Sequence, residues 1–97
     1  MIAPLALAAT LRSGPNERAF RIAVRGEPGK AIALRVAAPG WIAALCTARL
    51  CAIGKTVVHV PRVGTARVDV HFYRRPGREP SHGATVTADA ASLYIPL

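Results

Sequence analysis

Acidic residues are scarce in this chain. Its 97 residues hold five Asp and Glu against thirteen Lys and Arg, a formal net charge of +8. Glu17, Glu27, Asp69, Glu79 and Asp89 are scattered along the sequence, which leaves no carboxylate pair for general acid–base chemistry. Aromatics are also few, at 5% of the chain, and Met1 is the single methionine, which removes the axial ligand of a blue-copper site. Nothing approaches the roughly 18 to 20 consecutive apolar residues of a membrane span. The opening MIAPLALAATLR lacks a basic segment before its apolar stretch, so the sequence is read as carrying neither an anchor nor a complete signal peptide.

What remains is apolar and small. Hydrophobic residues make up 52% of the chain, with alanine the commonest of them, so a core must come from Val, Ile and Leu around a few rings. The length suits one domain spanning 1–97. Eleven of the thirteen cations are arginine, which predicts attraction to something anionic. The alternative is a solubility property of a chain whose Ala, Arg, Gly and Pro content is also what a GC-rich genome encodes.

Periodicity of two runs through the sequence, and no amphipathic helix emerges. Leu5, Leu7, Ala9 and Leu11 alternate before a turn at SGPN (13–16). Phe20, Ile22 and Val24 face one way and Arg21, Ala23 and Arg25 the other. EPGK (27–30) places proline and glycine where a tight turn wants a preset φ and a positive φ. Ile32, Leu34 and Val36 resume the alternation until APG breaks it before Trp41, and TVVHV forms a strand stopped by Pro61. ARVDVHFY puts Val68, Val70 and Phe72 on one side, with Arg67, Asp69, His71 and Tyr73 on the other. A polar loop follows at 74–83, and ATVTADAASLYIPL reads as one last strand, bent or bulged in its small-residue middle. About seven short antiparallel strands at such spacing predict an all-β, Ig-like Greek-key β-sandwich.

The stretch WIAALCTARLC (41–51) poses the chemical question. Two cysteines cannot make a four-ligand zinc site, and His59, His71 and His82 do not follow them at ligand spacing. Redox catalysis wants two residues between the cysteines and a helix N-terminus; here the gap is four residues in a strand-rich context. A Cys46–Cys51 disulfide across a TARL hairpin is the predicted arrangement, and it implies an oxidising compartment. The alternative is a pair of reduced, buried thiols. Trp41 is expected in the core near the disulfide, with carbohydrate stacking as the alternative role.

The order of PGK turn, APGW (Ala38–Trp41), Cys46 to Cys51, the Pro61–Gly64 turn before ARVDVHF, and the closing Gly83-Ala84-Thr85-Val86-Thr87 resembles a known group. It is similar to the Ig-like modules of bacterial cell-surface and secreted proteins that include CARDB-like and NPCBM-associated domains. VRGEPGK occupies the place where that group has an asparagine-rich hairpin. The resemblance implies a non-catalytic spacer, adhesion unit or docking subunit.

No cofactor, metal or small-molecule site is expected. The histidines have no partner nucleophile, so no turnover is predicted. The expected function is an accessory or structural protein-interaction module of an extracytoplasmic assembly, at the periplasm, the cell surface or a membrane. It is expected to dock on an acidic protein partner through Arg67, Tyr73, Arg74, Arg75 and Arg78. Binding of anionic glycan or lipid headgroups is the alternative. Nucleic acid is disfavoured, because Phe72 in HFYRRPGR should point inward rather than offer a stacking platform.

Overall fold

The computed structural model describes residues 3–97. Among them the chain forms nine strands and no helix: β1 Leu5–Ser13, β2 Glu17–Arg25, β3 Ala31–Ala37, β4 Trp41–Cys46, β5 Cys51–Ile53, β6 Lys55–His59, β7 Thr65–Arg74, β8 Gly83–Ala88 and β9 Ala91–Pro96. All pairings are antiparallel, in a five-stranded sheet of order β1-β2-β7-β4-β5 and a four-stranded sheet of order β6-β3-β8-β9.

The expected count of about seven strands is therefore corrected to nine. ATVTADAASLYIPL is not one bent strand but the hairpin β8–β9, and the segment around the cysteines adds the short strand β5. Asp89 carries the turn with φ 52, a left-handed conformation that Asp tolerates better than most residues. Without a Gly or Pro between the two halves, alternation alone could not separate a turn from a bulge.

On β1 the expected Leu5, Leu7, Ala9, Leu11 alternation fails: register shifts between Leu7 and Ala9 and between Thr10 and Arg12 break it, so Leu5 is buried while Leu7 and Leu11 are exposed, and on β2 Ala23, expected outward, is buried. The periodicities of β3, β7 and β8 hold. On β7, Ala66, Val68, Val70 and Phe72 are buried while Arg67 and Tyr73 are exposed and Asp69 and His71 partly so. On β3, Ile32 and Leu34 point inward, and on β8 Ala84, Val86 and Ala88 do. Side chains from both sheets form one core, in which Ile22, Leu34, Leu45, Phe72, Val86 and Ile95 are fully buried. Phe20 and Phe72 meet edge to face with centroids 6.0 Å apart, the arrangement their quadrupoles favour. The result is a β-sandwich-like packing of two sheets.

Three Xaa-Pro-Gly-Xaa turns shape the ends of this sandwich: Glu27–Lys30, Ala38–Trp41 and Arg75–Arg78. Each closes with the fourth N–H donating to the first carbonyl, at 3.1, 3.0 and 3.3 Å. Their glycines sit at φ 85, 81 and 72, as a turn of this type demands at its third residue.

Candidate functional site

Cys46 and Cys51 are disulfide-bonded and stand directly opposite each other in the β4–β5 hairpin, with Cα atoms 4.0 Å apart. The Thr47 N–H donates to the Leu50 carbonyl at 2.9 Å, which leaves Cys46–Cys51 as the next, non-hydrogen-bonded pair. Side chains approach each other most closely at such positions. Thr47 tightens the tip further: its hydroxyl donates to the Leu50 carbonyl at 3.3 Å and accepts from the Arg49 N–H at 3.4 Å. The clip joins residues only five apart in sequence, so the chain-entropy estimate gives roughly 2 kcal/mol. A Cys46→Ala/Cys51→Ala variant should lose about that amount in urea unfolding while keeping its β-sheet circular dichroism. Two thiols that alkylate in native, unreduced protein would contradict the bond. A disulfide of this kind is consistent with an oxidising environment, and among the described residues no helix is long and apolar enough to cross a membrane.

Trp41 opens β4 and is buried. Its indole N–H donates to the Ser81 carbonyl at 3.0 Å, and the Arg18 guanidinium lies 5.2 Å from the ring centroid. The first contact ties the core to the loop that follows β7, and the second ties it to β2. That loop is more constrained than its polar sequence suggests. The Arg74 N–H donates to the Asn16 carbonyl at 2.9 Å, Arg75 to Gly40 at 2.9 Å, and Ser81 to Pro39 at 2.8 Å. The Ser81 hydroxyl adds a bond to the Gly83 carbonyl at 2.8 Å. Arg74, Arg75 and Arg78 thus stand on fixed backbone around an open cleft of about 770 Å³ that also includes Asn16 and Glu79. The sequence offered Trp41 as a core ring near the disulfide; it is in the core, but at the opposite end of β4 from Cys46, about 16 Å along the strand. That it also secures the arginine loop was legible only as the APGW adjacency.

The structure does not bring all five expected docking residues together. Tyr73, Arg74, Arg75 and Arg78 belong to one end of the sandwich. Arg67 shares the outer face of β7 with Tyr73 but lies six residues away, about 20 Å along an extended strand, and lines a different groove beside the disulfide hairpin.

Between them, the outer face of β7 is occupied. Arg21, opposite Asp69 in the register, donates to its carboxylate from Nε at 2.8 Å and from Nη2 at 3.3 Å. These hydrogen bonds hold the Asp69 carboxyl below the usual carboxylate range against a smaller opposing desolvation, and the charges of Arg21 and His71 act the same way. Because the folded value is depressed, the pair's contribution is present above the ordinary carboxylate range and lost as pH falls through the folded value, below about pH 4. The His71 ring stacks on Tyr73 with centroids 6.4 Å apart. His71 therefore lies in a stripe of paired and stacked side chains. Among the described residues no three His, Cys, Asp or Glu side chains are grouped to hold a metal.

The chain is, as a class, a disulfide-clipped all-β domain of two antiparallel sheets. No family model, curated protein or solved structure matches it.

Proposed function

We propose that the chain is an Ig-like Greek-key module without catalysis of its own, an accessory or structural part of an extracytoplasmic assembly at the periplasm or cell surface, docking on an acidic protein partner. The observation that carries this reading is the arginine loop. Its guanidiniums are presented on backbone held by hydrogen bonds with two other segments, the turn at Asn16 and the APGW turn, and none is in an ion pair; among the described residues the ion pairs are Arg12–Glu17 and Arg21–Asp69. A cluster of planar, forked donors on a held backbone suits carboxylates. The disulfide supports the compartment, since such bonds persist where the medium is oxidising.

The same guanidiniums suit sulfate and phosphate groups, and the cleft around them is open, which supports an anionic glycan or lipid headgroup as a second reading. Nucleic acid fits less well: Phe72 is fully buried, so HFYRRPGR exposes Tyr73 without a run of stacking rings.

Titration with poly-glutamate, heparin and single-stranded DNA at rising salt tests the proposal. Poly-glutamate binding should weaken with salt, because exposed charges are screened beyond about 8 Å at physiological ionic strength. Arg74→Glu/Arg75→Glu should weaken it by about tenfold or more, some 1.4 kcal/mol, while leaving the melting temperature in place. Unchanged binding by that variant would make the loop a solvated face. A marked preference for heparin would favour the second reading.

A further inference from the structure

The two sheets end in four edge strands, β1, β5, β6 and β9, and an exposed edge is a template for pairing unless something blunts it. Register shifts at Leu7/Ala9 and Thr10/Arg12 interrupt β1. β5 has three residues and is clipped by the disulfide, and β9 terminates in Pro96. β6 has none of these devices: Lys55–His59 pairs with β3 in unbroken register, with no proline inside it.

Its free side can be worked out from the ladder. The Val60 N–H donates to the Lys30 carbonyl at 2.9 Å, the Gly29 N–H donates to the Val60 carbonyl at 2.8 Å, and the Val36 N–H donates to the Gly54 carbonyl at 2.9 Å. Even-numbered residues of this segment therefore turn their backbone groups toward β3. By the alternation of an antiparallel strand, Val57 and His59 turn theirs away. They face a groove of about 840 Å³ between β6, the Thr47–Leu50 hairpin tip and the loop before β7.

Two properties of that groove narrow its occupant. Three of the chain's exposed large hydrophobics meet there, Leu50 at 59%, Val57 at 55% and Val63 at 84% exposure. Arg49, His59 and Arg67 also line it, and no carboxylate does. The nearest acid on β7, Asp69, is engaged by Arg21. A second copy of a +8 chain is repelled from such a rim, whereas an acidic strand is attracted to it.

We propose that this groove receives an extended acidic segment of a partner protein, added as a strand to β6 through the free backbone groups of Val57 and His59, with its apolar side chains on Leu50 and Val63. The proposal rests on the interaction-module reading above and assigns it an interface away from the arginine loop. Strand addition supplies affinity through main-chain bonds and specificity through alternate side chains.

The test uses the whole chain, 15N-labelled, and an end-blocked peptide about eight residues long, near the usual strand length, alternating Glu with Val. A Lys-for-Glu counterpart serves as its control. The acidic peptide should slow amide exchange at Val57 and His59 by about tenfold or more, and the basic one should not. Val57→Pro, which removes a free edge N–H and no β3 bond, should weaken binding by about tenfold. So should Leu50→Glu/Val63→Glu, which alters exposed positions only and carries the test if the proline variant misfolds. Arg74→Glu/Arg75→Glu should leave this peptide's affinity nearly unchanged. Binding that spares β6 and is lost in Arg74→Glu/Arg75→Glu overturns the groove and leaves the interaction reading standing. Protection that rises with protein concentration alone overturns it in favour of a second copy. No binding at either surface overturns both.

Discussion

Trp41→Ala is expected to lower the free energy of unfolding by about 3 to 5 kcal/mol, the range for emptying a buried aromatic site. The ring opens β4 inside the core cluster, and it also donates to the Ser81 carbonyl at 3.0 Å. Alanine therefore removes packing and leaves a carbonyl without its donor, costs that add because the partner group stays behind. For a domain of this size the corresponding fall in melting temperature is of order 15 to 30 °C. Trp41→Phe keeps most of the packing and loses the hydrogen bond, so about 1 kcal/mol separates it from the parent beyond any repacking loss. Trp41 is the only tryptophan, so both variants are followed by circular dichroism in urea rather than by intrinsic fluorescence. A loss below about 1 kcal/mol in Trp41→Ala would contradict a core role. An exposed stacking ring would give such a small loss.

Gly40→Ala should cost about 2 to 5 kcal/mol, from left-handed strain of roughly 1 to 2 and forced displacement of roughly 1 to 3. Gly40 has φ 81, and a Cβ there would run into the Glu79 carbonyl oxygen and come within 2.6 Å of the Pro80 Cα. Both are backbone, so the arginine loop must move, and the bonds from Arg75 to Gly40 and from Ser81 to Pro39 are the first to break. Gly29→Ala is the matched control: its φ is 85, yet nothing lies within 4 Å of the added methyl. It should show the conformational strain alone, about 1 kcal/mol. Equal losses at the two positions in urea unfolding would show that the contact between the APGW turn and the loop contributes nothing.

The strands were largely legible because their signal is local. Alternation at Phe20, Ile22 and Val24, and again at Val68, Val70 and Phe72, already separates inward from outward positions, and Pro-Gly pairs mark the turns. The cysteine pair was legible for the same reason, since a four-residue gap brings facing hairpin positions together. The β8–β9 turn escaped because Asp89 and Ala90 carry no strong breaker, and the left-handed Asp89 is a conformation that the sequence permits but does not demand.

Composition and periodicity by themselves determined an all-β chain, the inward-facing residues of β3, β7 and β8 and the clipped hairpin, all consequences of contacts between near neighbours; the register shifts that expose Leu7 and Leu11 on β1 were not among them. Tertiary structure decided the rest. Which strands pair depends on burying two apolar faces against each other, a requirement spread over the whole chain: β7 joins β2 to β4, and β3 joins β6 to β8. That same order left the edge of β6 open beside Leu50 and Val63 and set Arg67 in a groove with them, apart from the cleft of Arg74, Arg75 and Arg78. Alternation places residues on a common face, but the neighbours that flank each strand and the choice of edges are set only when the sheets close around their core.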